Sequence, residues 1–402
     1  APSRRMVRPR LSIPPIIPRH PRPWRRVAPW RRSLSGDVLR PRGASGHHQL
    51  GHHGEVDGLL DRREEPVRRR ERAPVAVDEP CPPLLEAGAS TEVLADDLEG
   101  LATRDRVDEA YDTARSVRDR RYLYIRNYRP HLSWNQPEGF SDNADMRREI
   151  TRLAAAGELG ALQLTYAGPA KPLEELYDTD ADPHQVRNLA LSPDHREILE
   201  RMRKLHRQWV LETRDLGFLP EAEVWSRCAG RTPWQLAQDP ERYPLPRLLA
   251  AAELAGQADV VPRQIELLAD ADAGVRYWAA LGLHAAGREA TPARDALRKA
   301  LTDPSPSVRV EAAGALLGLD DADVALPVLT EQLQSEQPDV ALHAARTLQL
   351  AGESARPAAP VMKRVLATAK QPESRAPQYL FLEFSLQAAL RKLEPTAHRG
   401  TR

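Results

Sequence analysis

The amino-acid sequence predicts three unlike parts: a largely disordered N-terminal region, an α+β unit of a small antiparallel sheet with one long helix, and an all-α superhelix of stacked helix pairs. Three observations predict this. The stretch SVRDRRYLYIRNY (116–128) is dense in the aromatic and β-branched residues that suit strands. Ile198, Met202, Leu205 and Trp209 recur at steps of four, three and four, which is one face of a helix. Val275, Val308 and Val340 stand 33 and 32 residues apart in similar surroundings, the mark of a repeat array.

The first hundred residues are crowded with Arg, Pro, His and Gly and contain no Lys, Asn, Phe or Tyr. Prolines interrupt any period in PRHPRPWRRVAPWRR, and RREEPVRRRER alternates charge without apolar spacing. Such a block cannot bury enough apolar surface to order itself, so residues 1–102 are expected to be disordered. Three readings fit it: a basic tail for anionic polymers, an ordinary linker, or a shifted reading frame in a GC-rich gene, which enriches these residue types.

Residues 103–228 read as a folded unit. The 116–128 stretch supplies one or two strands, ALQLTYA (161–167) reads as another, and LEELYD (173–178) as a further strand stopped by Asp and Pro turn chemistry. A helix follows. Ser192 suits its N-cap, Pro193 its first position and Glu197 its first turns, and Gly217 is expected to end it. Residues 229–244 read as a linker.

Residues 245–393 form the repeats, and 394–402 a tail. Asp270, Val275, Arg276 and Ala280 align with Asp303, Val308, Arg309 and Ala313. Val340 and Ala345 continue the series, with Ala341 in the arginine's place, and a degenerate fourth unit from Ala355 to Leu390 is expected to cap it. Gly287 and Gly352 fall at matching helix ends with Asp320 between them, and both residue types tolerate a left-handed backbone. Arg276 and Arg309 are expected to bridge helices or cap carbonyls. The pattern resembles HEAT-type repeats of the short PBS-lyase-like variety, which implies paired helices stacked side by side.

Bulk properties set limits. Lys+Arg 58 against Asp+Glu 57 leaves a net charge of +1, so no basic field marks the chain for nucleic acid. No apolar run approaches the ~18 residues of a membrane span. Cys81 and Cys228 allow at most one disulfide, which leaves the compartment open.

Read as one string, Arg104–Tyr128, RDRVDEAYDTARSVRDRRYLYIRNY, resembles the opening of the C-terminal subdomain of sulfatases, near the heparan N-sulfatase and arylsulfatase A branch. Leu123 stands where that family usually has lysine. Lys171, Pro172 and Glu174–Asp178 are similar to its next strand, Asp182, Pro183, His184 and Asn188–Ala190 to its turn, and Trp209, Thr213, Asp215, Gly217, Pro220 and Glu221 to the end of its closing helix. The resemblance implies a sulfuric ester hydrolase acting on sulfated sugars or aryl sulfates. It also implies a formylglycine made within C/S-x-P-x-R and a calcium ion held by Asp and Asn, all preceding the matched stretch. Some family members let this subdomain form one rim of the substrate cleft, so Arg104, Arg106 and Asn127 are candidate rim residues, with salt bridges as their alternative role.

Upstream, Cys81 is followed by Pro82, Pro83, Leu84 and Leu85, so proline falls two places on but leucine replaces the arginine. No paired Asp-Asp follows an early strand. The chain as given is therefore expected to be a C-terminal remnant with no catalytic, metal or cofactor residue of its own. The abrupt edge of the resemblance near Ala102 coincides with the change in composition, which favours the frame-shift reading. The alternative function is a non-enzymatic binding protein whose repeat surface meets a protein partner.

Two weaker motifs remain. His47, His48, His52 and His53 make a dense imidazole cluster for a transition metal, although Gly46, Gly51 and Gly54 disfavour a helix there. Asp178, Asp180 and Asp182 mimic the start of a calcium loop, but Pro183 and Leu189 stand where that loop needs Gly and Glu. An Asp-rich turn is the better account.

Overall fold

The computed structural model describes residues 98–371 and 377–394, to which all structural statements here refer. The expectations for residues 1–97, including Cys81 and the His47–His53 cluster, lie outside the described residues.

Four strands, β1 (Gly100–Arg104), β2 (Ala114–Arg118), β3 (Tyr122–Asn127) and β4 (Glu174–Asp178), pair antiparallel in sequence order. The string read as one or two strands is thus two, and LEELYD is the fourth. β1 begins at Gly100, so the sheet reaches into the block expected to end at residue 102. Val117 pairs with Tyr124 and Tyr124 with Leu176, so period-2 alternation sets these three side chains in a row on one face.

Between β3 and β4 lie α1 (Asp145–Ala155) and α2 (Ala161–Ala167). ALQLTYA is therefore α2 and not a strand. Its Leu162, Leu164 and Tyr166 are exposed, so no sheet neighbour takes its backbone groups, and a helix satisfies them internally. Gln163 Oε1 also accepts the Gly160 N–H (2.7 Å), fixing the first turn.

A 3₁₀ turn, Pro193–His195, leads into α3 (Arg196–Glu212). Leu199, Met202 and Leu205 pack on the Val117–Tyr124–Leu176 row, while Ile198 and Trp209 stay half-buried at its flanks. Gly217 does not end this helix. α3 stops at Glu212, Arg214 takes the positive φ (53°), and Gly217 closes a short turn in which Asp215 accepts its N–H (3.0 Å).

The remaining helices are α4 (Glu221–Cys228), α5 (Pro233–Ala237), α6 (Leu245–Glu253), α7 (Val261–Leu267), α8 (Ala273–Ala286), α9 (Arg294–Ala300), α10 (Pro306–Gly318), α11 (Ala322–Leu333), α12 (Pro338–Ala351), α13 (Ala359–Ala369) and α14 (Pro377–Leu393). The segment read as a linker contains α5, which Thr232 caps by accepting the Gln235 N–H (3.2 Å), and the buried Tyr243. Helices α6, α8, α10, α12 and α14 stack as one layer, with α7, α9, α11 and α13 packed behind. Gly287, Asp320 and Gly352 take positive φ (55°, 62° and 57°) at the expected helix ends.

The repeat arginines bridge neighbours as expected. Arg276 forms a fork with Asp303 (2.7 and 2.8 Å) and donates to the Asp270 and Ala271 carbonyls (2.9 and 3.0 Å). Arg309 donates to the Asp303 carbonyl (2.6 Å) and to Gln332 (2.9 Å).

The α+β part and the repeats share one hydrophobic core. Tyr128, Val210, Phe218 and Leu219 pack with Leu248 and Trp278, and Trp278 donates its indole N–H to the Phe218 carbonyl (2.8 Å). Behind β3, Arg129 forms an ion pair with Glu311 of α10 (3.2 Å). No described helix is long and apolar enough to cross a membrane.

Candidate functional site

Arg104, Arg106 and Asn127 do not converge. Asn127 is fully buried and donates to the Pro172 carbonyl (2.7 Å) and to Glu175 (2.8 Å), so it ties β3 to the segment entering β4. Arg106 forms a fork with Glu221 of α4 (2.7 and 2.9 Å) and lies over the rings of Tyr111 and Phe381. Arg106 is thus in a salt bridge, the alternative role named for it, and Asn127 in a hydrogen-bonded tie.

Arg104 differs. It ends β1, its side chain is 40% exposed, and it pairs with the buried Asp112 (3.2 Å). Asp112 is also held by Lys171 (2.6 Å), whose ammonium group is fully buried. Burial lowers the Lys171 pKa, and Asp112 opposes that shift. Both cations face the Trp134 indole, at 5.5 Å for Arg104 and 4.7 Å for Lys171. Trp134, Arg147 and the exposed Tyr166 join Arg104 around a groove of about 280 Å³. Arg147 is held there by Asp142 (2.9 Å), the Gln136 carbonyl (2.7 Å) and the Tyr166 hydroxyl (3.0 Å).

Aromatic faces beside guanidinium groups suit a sugar ring carrying anionic substituents, because the rings take its C–H face and the cations its oxyanions. Sequence reading passed over Trp134, Arg147 and Tyr166. A Trp among Ser, Asn and Gln in SWNQP was the available signal. No spacing joins it to Arg104, because the two meet only in the fold, the guanidinium over the indole.

One acidic group bears on the calcium that the resemblance implies. Asp108, Glu109 and Glu138 bring oxygen atoms within 4.8 Å of one another. Glu109 and Glu138 are partly engaged by protein, while Glu109 Oε2 is buried without a partner. Glu109 accepts the Gly139 N–H (2.6 Å), and Glu138 accepts those of Phe140 (3.1 Å) and Ser141 (3.2 Å). Burial and the Glu138 carboxylate raise the Asp108 pKa. The set lies inside the matched stretch and holds no Asn, so it does not fit the implied calcium ligands. Asp178 likewise serves its turn by accepting the Asp180 and Ala181 N–H groups (3.2 and 3.1 Å). Cys228 is a buried free thiol.

Known proteins match in two places. An ulvan-active sulfatase of Formosa agariphila is 37% identical over 123 residues, covering 31% of this chain and 21% of its own length. A second ulvan-active sulfatase of that organism is 31% identical over 103 residues, covering 26% of this chain and 18% of its own length. The chain therefore spans about a fifth of the length of these curated relatives. The HEAT-repeat family matches residues 294–377. Together with the four-stranded sheet, the long helix and the stacked pairs, these matches identify a sulfatase-like segment joined to HEAT repeats.

Proposed function

We propose that the chain is the C-terminal part of a sulfuric ester hydrolase acting on a sulfated polysaccharide, with the Arg104 groove as the rim that meets the sugar. The observation that carries this is the ordered match from Arg104 through Glu221, supported by relatives named as ulvan-active. Arg104, Arg147, Trp134 and Tyr166 would orient the polymer by charge and stacking. The formylglycine and calcium implied by the resemblance would supply the nucleophile and neutralise sulfate charge, and we assign neither to the residues described here. The Cys81 context lacks the motif arginine, so the 402 residues as given are proposed to be inactive.

The experiment is a pair of assays on the purified chain. No turnover of a generic aryl sulfate is expected, and clear hydrolysis would sink the proposed inactivity. Ulvan is expected to bind in a salt-sensitive way and to lose about tenfold in affinity in Arg104→Ala, the scale of one lost charged contact. Ulvan binding unchanged in that variant would sink the rim.

The alternative, a protein-binding repeat surface, is less favoured. Arg129, Gln136 and Pro137 of this same chain already pack on α10 and α12.

A further inference from the structure

Between the sulfatase-like segment and the repeats lies a cavity of about 590 Å³, separate from the Arg104 groove. Its volume is in the ordinary range for a small organic ligand. One wall is Arg129–Pro137; the other is built from α10 and α12. Leu317, Leu350 and Gly314 make apolar surface, while Arg129, His131, Glu311 and Arg346 bring polar groups.

The charges in this cavity do not balance by contact. Glu311 is buried and fully used: Arg129 (3.2 Å), His284 (3.0 Å) and His343 (3.1 Å) hold its two oxygens. These bonds and the Arg129 charge overcome burial and keep its pKa well below the carboxylate range. Asp320 is on the exterior, paired with Arg288 (2.6 Å).

Arg346 is different. It is 2% exposed, and its only hydrogen-bond acceptors are neutral: the Pro137 carbonyl (2.8 Å), Gln349 (2.7 Å) and Gln136 (3.0 Å). Its Nε is buried without a partner, as are Nε of Arg129 and Nδ1 of His131. Glu109, Glu138 and Asp142 favour its charge from a distance, but none forms an ion pair with it. Burial outweighs them and pushes its pKa down to about 10. A buried guanidinium with an unused donor and no touching carboxylate is costly unless an anion completes it.

We infer that this cavity is a binding site for a small oxyanion-bearing molecule, a carboxylate or sulfate ester on a body of monosaccharide size, with Arg346 as its principal charge partner. The Arg346 and Arg129 Nε–H groups and His131 Nδ1, buried and without a partner on residues that line the cavity, are the polar positions left for the oxyanion. Leu317 and Leu350, beside the open face at Gly318, receive the body. The site requires no sulfatase activity, so it stands or falls apart from the preceding reading.

The test is isothermal titration of the full chain with glucuronate, glucose 6-sulfate, inorganic sulfate and glucose. Saturable binding of one or more anions is expected, with no binding of glucose. Inorganic sulfate binding as tightly as the sugar anions assigns the site to the oxyanion alone; tighter binding of the sugar anions assigns it to oxyanion and body together. Arg346→Met is expected to weaken binding at least about tenfold, the scale of a lost charge-assisted hydrogen bond. Gly318→Leu is the second variant. Gly318 lines the cavity, and a Cβ there meets no atom within 4 Å, so the fold tolerates the side chain while access narrows. It too is expected to lose binding, and it decides the matter if circular dichroism shows Arg346→Met unfolded. Equal binding of glucose, no saturable binding of any anion, or undiminished binding in folded Arg346→Met would overturn the site.

Discussion

Arg115 enters the interior from β2 with no exposed side-chain surface and is met by Asp105 (2.9 Å) and Asp215. Such a pair is costly to break, because removing either side leaves a buried charge uncompensated. Gly217 exists to admit it: a Cβ there would stand 2.0 Å from Arg115 Nη2 and 3.0 Å from Asp105. Gly217→Ala is therefore expected to destabilise the protein by about 1–3 kcal/mol through overpacking, measured by urea unfolding. A change within 0.5 kcal/mol would contradict this packing account. The glycine was visible in the sequence, but its reason was not, because its neighbour lies 102 residues away in the chain.

His206 gives a second residue-scale prediction. It is buried against Tyr124 and Tyr128, its Nε2 has no partner, and burial, then the charge of Arg126, pushes its pKa down to about 3. Above pH ~6.5, the ordinary histidine value, both folded and unfolded chains keep it neutral. As pH falls from there toward 3, the unfolded chain takes up a proton that the folded chain refuses. Its stabilising influence is thus lost on acidification, with a slope of at most ~1.4 kcal/mol per pH unit. His206→Phe keeps the ring packing and is expected to flatten the wild-type slope in this window. Parallel stability–pH curves for the two proteins would refute it.

At the scale of elements, the repeats hold by ion pairs as well as by alanine and leucine packing. Arg276 and Asp303 are 12% and 8% exposed, so their fork is screened from water and joins one repeat to the next. Arg276→Ala is expected to cost about 1–3 kcal/mol, and Arg263→Ala, whose pair with Glu266 is exposed, to cost less than 1 kcal/mol. Equal losses on thermal or chemical unfolding would show that burial does not set the difference. The same scale shows where sequence reading succeeds. Strands β2 to β4, the 193–212 helical run and the repeat ends were legible because each is set by local period or backbone preference. ALQLTYA was not, because seven apolar and polar residues fit both periods and only the absence of a sheet partner decides.

For the whole molecule, the decisive feature is the shared core. Phe218 and Tyr128 from one sequence segment pack on Trp278 from the other, and the 229–244 stretch contributes Leu236, Ala237 and Tyr243. The described residues, 98–371 and 377–394, are therefore expected to unfold in one transition, with circular dichroism and tryptophan fluorescence coinciding in urea. Two separated transitions would show that the sulfatase-like segment and the repeats are independent. The Arg129–Glu311 ion pair also ties α10 to the sulfatase-like segment.

The sequence by itself determined most kinds of element, ALQLTYA and the helix within 229–244 excepted, with the sulfatase resemblance and the repeat period, because these depend on residues near one another in the chain. It also named Arg104, together with Arg106 and Asn127, as a candidate, though not the groove around it. Tertiary structure alone decided that Arg106 and Asn127 are tied into the scaffold, that the presumed linker is core, and that Trp134, Arg147 and Tyr166 gather beside Arg104. It alone set Arg346 at a cavity wall without a carboxylate partner. These outcomes depend on groups brought together across 19 to 210 residues of chain, and no local pattern encodes which distant partner will share a buried charge.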